Sequence, residues 1–250
     1  MPSAFIDEIF ASVQGEGVLL GQRHIFVRFL GCDLRCSYCD TPEAVKESQG
    51  PRAPACRAQI SARSFDRELL TNPLSSALLS ERCERLRFPG PSRSVVSLTG
   101  GEPLLQQEFL AEWLPTMRKD YHVLLETNGI HHSAMASLAR LVDFVSMDIK
   151  LPSSTSQEGH WEDHGKFLAA AAGTELFVKA IITRHTSAAD VLQAAQLVAS
   201  LDGAIPFVLQ PASGGLAPEV SDLLLFQGMA LDLLSDVRVI PQVHRSLGLP

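Results

Sequence analysis

The stretch GCDLRCSYCDT, residues 31–41, places Cys32, Cys36 and Cys39 on eight consecutive positions of a chain that has only five cysteines. A C-x3-C-x2-C spacing on one loop lets three thiolates converge on one metal centre. Zinc takes four ligands in structural sites and would need a fourth from elsewhere. Soft thiolates also select iron–sulfur clusters, which normally carry four cysteines. A cubane held by three leaves one iron open to a further ligand, and that gives the odd number a reason. The clustering argues against incidental buried thiols. Cys56 and Cys83 lie in a stretch of different composition and read as spare thiols.

Other segments carry chemistry less specifically. TGGEP (99–103) has two glycines, which let the backbone approach a ligand and leave amide and carbonyl groups free to pair with it. Alone, it is also what an ordinary tight turn looks like. Arg28 sits inside the apolar run HIFVRFL (24–30), where a charge is costly unless paired. A ligand carboxylate would pair with it bidentately, and an outward-facing Arg on an edge strand is the plainer option. Asp40-Thr41-Pro42 without the cysteines would simply start a turn or cap a helix. Glu16 either bonds a ligand or is a solvated loop carboxylate. Asn128-Gly129 in LLETNG reads first as a turn.

These segments must be held by something, and the apolar pattern says what. Strands are expected at 24–30, 94–100, 122–127, 144–150, 175–182, 206–211 and 237–242. Helices are expected at 104–118, 131–140, 161–172, 188–201 and 218–235. Such alternation means parallel strands joined by crossover helices, in a barrel-like or doubly wound α/β sheet. Residues 42–93 differ, being rich in Pro, Ser, Arg and Ala, and read as a variable surface excursion with one or two helices. No linker is visible, so one domain over 1–250 is expected. Polar motifs follow six of the seven apolar runs, and the C-terminal strand ends of parallel α/β folds are where sites are built. That placement is the strongest sign of an enzyme.

Bulk properties narrow the class. The chain has 250 residues, 21 Lys plus Arg against 28 Asp plus Glu, and a formal net charge of −7. That balance argues against wrapping nucleic acid, while leaving a local Arg free for a small anion. No run of eighteen apolar residues exists, so no membrane span is expected. MPSAFIDEIF lacks the basic and apolar regions of a secretory signal. Five cysteines make no disulfide framework, and a reducing cytoplasmic location fits.

The cysteine spacing, with Tyr38 before the last thiol, resembles the radical S-adenosylmethionine superfamily, and TGGEP after a strand strengthens the likeness. EIFASVQGEG (8–17), FVRFLGCDLRCSYCDT (26–41) and the tail IPQVHRSLGLP are similar to the 7-carboxy-7-deazaguanine synthase family. The likeness spans most of the chain and is weakest over 42–93. It implies an incomplete TIM-like β/α barrel, a homodimer, a [4Fe-4S] cluster, S-adenosylmethionine and Mg2+. The implied reaction converts 6-carboxy-5,6,7,8-tetrahydropterin to 7-carboxy-7-deazaguanine with loss of ammonia, driven by a flavodoxin-like or other electron donor.

Residue roles follow from the same resemblance. Cys32, Cys36 and Cys39 would ligate three irons. Tyr38, Cys39, Asp40, Gly101, Ser146, Met147, Asp148, Gln210, Pro211, Ala212 and Ser213 would contact S-adenosylmethionine. Thr41 would be the protein ligand to Mg2+, a cation that keeps most of its waters. Val13, Gln14, Gly15, Arg28, Thr99 and the terminal carboxylate of Pro250 would contact the pterin. No dedicated general base is evident. A glycyl-radical activating enzyme would share the cysteine loop, GGEP and TNG without requiring SVQGEG or Arg28. A non-enzymatic zinc or iron–sulfur protein would leave the six strand-end motifs unexplained.

Overall fold

Runs of Val, Ile, Leu and Phe bounded by Gly, Pro and Asn fold as strands when both faces are covered. The computed structural model, which describes residues 2–46, 53–90 and 92–249, shows how often that happens here. A short strand β1 (Ser3–Ala4) precedes β2 (Ile6–Val13) and β3 (Arg23–Phe29). Next come α1 (Pro42–Lys46), β4 (Cys56–Ser61), β5 (Ser64–Leu70), β6 (Leu74–Ser75) and α2 (Ser76–Leu86). Then the chain alternates: β7 (Ser94–Gly100), α3 (Gln107–Met117), β8 (Tyr121–Thr127), α4 (His132–Leu138) and β9 (Phe144–Asp148). It continues through α5 (Pro152–Thr155), α6 (Trp161–Ala171), β10 (Glu175–Ile182), α7 (Ala188–Leu201), β11 (Phe207–Pro211), α8 (Val220–Leu231), β12 (Val237–Val239) and α9 (Val243–Ser246).

The described residues form a ten-stranded sheet in the order β12-β11-β10-β9-β8-β7-β3-β2-β4-β5. From β3 to β12 every neighbouring pair is parallel, and these are the seven strands the apolar pattern predicts. The sheet does not close, so the architecture is a partial β/α barrel. Crossover helices cover its outer face. In α7, Val191, Ala194, Ala195 and Val198 are buried at helical spacing, and the Ser187 side chain caps the first turn by accepting from the Asp190 amide at 3.2 Å. No helix among the described residues is long and apolar enough to cross a membrane.

Three features depart from the sequence reading. Strand β2 was not expected; it pairs antiparallel with β3, and its register shifts between Ile6 and Glu8. The bulge puts Ile6 and Ile9 in the same core although they lie three residues apart, which breaks the period-2 signal. Residues 42–93 hold α1 and α2 as expected, but also β4 and β5, which extend the main sheet beyond β2. Strand β12 stops at Val239 and β9 at Asp148, short of the expected 242 and 150.

Alternation along each strand sorts residues between two layers. Val27, Phe29, Leu98, Leu125, Met147, Val178, Ala180 and Leu209 point to the helices and form the main core. On the concave face, Leu124 and Phe177 pack with Leu19, and with the partly buried Val18, Val95 and Phe144. Leu19 belongs to the loop between β2 and β3, which therefore plugs the barrel from within. Gly17 turns that loop at a φ of +64°, and a Cβ there would lie 2.3 Å from the Phe177 ring. The plug leaves the C-terminal strand ends open above it.

Candidate active site

Those strand ends line a cavity of about 530 Å3. Register sets the inward side chains in a ring: Arg28 lies beside Thr99, Asp148 beside Lys179, and Ile181 beside Gln210. Glu126 completes it, accepting from Gln14 Nε2 at 2.9 Å and Thr99 Oγ1 at 3.1 Å. Burial pushes the Glu126 carboxyl above its usual range, against the pull of the Lys179 ammonium.

The cysteine loop forms the rim and is held on three sides. From β7, the Glu102 amide donates to Gly31 O at 2.6 Å and the Gly101 amide to Phe29 O at 3.0 Å. A Cβ on Gly101 would lie 1.9 Å from Gly31 O, so only glycine permits this approach. From the TNG turn, Asn128 Nδ2 donates to Asp33 Oδ1 at 3.0 Å, and His131 Nε2 lies 3.0 Å from Asp33 Oδ2. The Asp33 bond raises the His131 pKa; burial alone would raise that of Asp33, but His131 holds it low. From α5, Ser154 O accepts from Ser37 Oγ at 2.8 Å and Thr155 O from the Ser37 amide at 3.2 Å.

Buried Glu102 ties two of these supports together. Its carboxylate accepts from Thr127 Oγ1 at 2.8 Å, the Asn128 amide at 2.8 Å and the Leu104 amide at 3.0 Å. The sequence reading treated GGEP as a ligand-facing turn; its Glu instead cross-links TGGEP to TNG beneath the loop.

Cys32, Cys36 and Cys39 all line the cavity as free thiols. Burial pushes Cys32 up to about 11 and raises Cys36, which the Lys150 ammonium pulls the other way. Metal binding would displace those protons. Among the described residues no three His, Cys, Asp or Glu side chains converge as a single ion requires. One thiol per iron on a shared cluster suits the set better than a mononuclear zinc. Deeper in, the buried Asp148 Oδ1 and Gln210 Oε1 have no hydrogen-bond partner in the protein. Unpaired buried acceptors beside a cavity fit a ligand that brings donors. Lys150 Nζ sits 2.9 Å from Asp148 Oδ2 and 5.6 Å from the centre of the Tyr38 ring.

Of the residues named from the sequence, Val13, Gln14, Gly15, Arg28, Tyr38, Asp40, Thr41, Thr99, Gly101, Asp148, Gln210, Pro211, Ala212 and Ser213 line this one cavity. Met147 does not: it is fully buried on the helix side, because its neighbours 146 and 148 take the inward positions. Ser146 points inward one layer below Asp148, buried, and does not line the cavity. Pro250 lies outside the described residues. Arg28 faces the cavity but already has a partner, Glu8 Oε2 at 3.3 Å, which also binds Arg57 and Arg67 through its other oxygen.

Glu16 is neither solvated nor free. It pairs with Lys179, a residue the sequence reading passed over, and accepts from Gln242 Nε2 at 2.8 Å. Burial is the largest single influence and would raise its pKa; the charge and hydrogen bond of Lys179, together with the Gln242 bond, overcome it and hold Glu16 at about 2. Lys179 carried the same signal as Arg28, a single charge inside an apolar strand.

A partial β/α barrel with three free thiols and a glycine-backed rim at its C-terminal mouth defines a class, and the family model for the Radical SAM superfamily matches residues 26–203. A Geobacter sulfurreducens protein named 7-carboxy-7-deazaguanine synthase is 39% identical over 99% of this chain and 98% of its own. One of the same name from Methanothermobacter thermautotrophicus is 33% identical over 98% of this chain and 97% of its own. The crystal structure of QueE from Escherichia coli superposes with a TM-score of 0.62 at 21% identity, covering 96% of this chain and 94% of that one, which shows the shared fold. The chain belongs to the 7-carboxy-7-deazaguanine synthase family of radical SAM enzymes.

Proposed function

We propose that this protein is a radical SAM lyase that contracts the ring of 6-carboxy-5,6,7,8-tetrahydropterin to give 7-carboxy-7-deazaguanine and ammonia. One observation carries the reading: a single cavity holds both the three free thiols and the inward ring of Arg28, Thr99, Glu126 and Gln14. When bound, the cluster and S-adenosylmethionine supply one-electron cleavage chemistry that removes a hydrogen atom from the substrate. Cys32, Cys36 and Cys39 hold three irons. Gly101, Asp148 and Gln210 orient the methionine and nucleoside parts of the cofactor. Arg28 binds the pterin carboxylate, loosening from Glu8, which keeps Arg57 and Arg67. Gln14, Thr99 and Glu126 offer paired donors and acceptors to the pterin edge. Thr41, which lines the same cavity, would give its hydroxyl to Mg2+. The plug loop and the tail exclude water and hold the substrate facing the cofactor.

The same reading includes a homodimer, a flavodoxin-like or other electron donor and a cytoplasmic, reducing location suited to free thiols. The test is anaerobic reconstitution with iron and sulfide, then incubation with S-adenosylmethionine, Mg2+, reductant and the carboxypterin. Deazaguanine product with 5′-deoxyadenosine is expected. A full cluster that cleaves S-adenosylmethionine without forming deazaguanine would remove the substrate assignment, and a protein without a cluster would remove the reaction class.

A further inference from the structure

The sheet does not close, β12 is one of its edges, and the chain after β12 leaves the Leu209 carbonyl of β11 to reach the loop between β2 and β3. The Val243 amide donates to Gly15 O at 3.0 Å. A Cβ on Gly15 would lie 2.1 Å from His244 Nδ1, so the tail lies directly against the plug loop. Between the two loops stands Gln242. Its Nε2 donates to Glu16 Oε1 at 2.8 Å and to Asp40 Oδ2 at 2.9 Å. Beyond them, Lys179 pairs with Glu16, and Arg245 Nη2 lies 3.2 Å from Asp40 Oδ2.

The sequence of groups is cation, carboxylate, amide, carboxylate, cation. Two carboxylates meeting at one point repel, and only a group with two N–H donors and no charge satisfies both without adding a third charge. A side-chain amide is that group. Glu16 belongs to the plug loop that carries Gln14 and Gly15, while Asp40 lies between Cys39 and Thr41 on the cluster loop. Among the described residues, Gln242 is the side chain bonded to both.

From this geometry we infer that Gln242 is a positioning residue that pins the substrate-facing loop to the cluster loop across the open side of the barrel. The inference rests on the proposed function for what lies on either side of the pin. It touches no reacting atom. It fixes the spacing at which substrate and cofactor face each other, and a misplacement of an ångström is enough to separate cofactor cleavage from substrate turnover.

The test compares the holoenzyme with Gln242→Met, which keeps the length and removes both donors, and Gln242→Glu, which keeps the shape and places a third carboxylate between two others. Cluster absorbance and thermal unfolding serve as folding controls. The coupling ratio, product formed per 5′-deoxyadenosine released, is expected to fall at least about threefold in Gln242→Met and further in Gln242→Glu. kcat/KM for the pterin should drop about tenfold or more, the scale of one lost charge-assisted hydrogen bond. A merely structural loss would lower both outputs together and leave the ratio unchanged.

Amide hydrogen exchange gives a readout that needs no substrate: residues 14–17 and 40–41 should exchange faster in Gln242→Met than in the wild type. Wild-type product with an unchanged coupling ratio in both variants would overturn the pin. So would unchanged exchange in both segments, whatever the substrate proves to be. Failure of the wild type to make deazaguanine, with faster exchange in the variant, would overturn the substrate reading and leave the pin standing.

Discussion

The Glu16–Lys179 pair gives the sharpest energetic expectation. Both groups are nearly removed from solvent, with side-chain exposures of 18% and 6%. Glu16 is held at about 2 against an ordinary 4.5, and at about 1.4 kcal/mol per pKa unit its interactions with Lys179 and Gln242, net of burial, contribute roughly 3 kcal/mol at neutral pH. Breaking a buried pair by removing one partner typically costs about 3–5 kcal/mol. Glu16→Gln should fall at the lower end, since Lys179 keeps the fields of Asp148 and Glu126. Lys179→Met should cost more, because it leaves Glu16 and Glu126 without their cation and Asp148 with Lys150 alone. The sign with pH is fixed. A depressed carboxyl stabilises the fold above its unfolded pKa and loses that contribution as pH falls through its folded one. The gap between wild type and Glu16→Gln is therefore about 3 kcal/mol at pH 7.5 and narrows as pH falls from 4.5 towards 2. Urea unfolding of the cluster-free protein, followed by circular dichroism at several pH values, measures it. A Glu16→Gln variant within about 0.5 kcal/mol of wild type at pH 7.5, or a gap that stays constant into acid, would refute the reasoning.

Two further substitutions test the rim and the ring. Gly101→Ala would place a Cβ 1.9 Å from Gly31 O and 2.4 Å from its carbon, both backbone atoms that have no rotamer to retreat into; reconstituted iron per protein should fall by more than about half, and a normal cluster content would show that the rim tolerates displacement. Arg28→Ala should raise KM for the carboxypterin at least about tenfold by removing a charge-assisted contact, with cluster absorbance unchanged because Glu8 keeps Arg57 and Arg67; unchanged pterin affinity by calorimetry would remove its role.

Six of the seven parallel strands were legible because their middles are buried on both faces and turn residues bound them, so each apolar run needs no tertiary information to be read; β12, at the edge with Arg238 exposed, is shorter than its apolar run. Strand β2 was not, since its bulge sends Ile6 and Ile9 to one face and hides the alternation. Strands β4 and β5 were hidden for another reason. CRAQIS and SFDRELL lie at the end of the sheet, where Phe65 and Leu69 are exposed and polar residues fill much of what remains. At the site, residue types were legible but directions were not always used. Treating 146–148 as one contact stretch overlooked that consecutive strand residues face opposite ways, and Met147 therefore lies in the core. Gln242 and Glu102 gave weak local signals, because their partners Glu16 and Thr127 lie 226 and 25 residues away, whereas Lys179 stands out as a charge inside an apolar strand although its partner Glu16 is 163 residues away.

The open barrel explains why SVQGEG and Arg28, and not the cysteine loop, separate this family from other radical enzymes in the sequence. A closed β/α barrel fills its own interior with strand side chains. Here the interior is filled by Leu19 from the β2–β3 loop, and the open side is covered by the tail that reaches Gly15 and Asp40. Gly101, Asp148 and Gln210, proposed to orient the cofactor, stand at the ends of parallel strands. Gln14, Gly15 and Gln242 come from the plug and the tail, and Arg28 is held by Glu8 of the antiparallel strand β2. The parts that complete the barrel are thus the parts that shape the proposed substrate side of its cavity. A change of substrate within this architecture would then be sought in the plug loop, in β2 and along residues 240–249, with the seven parallel strands left as they are.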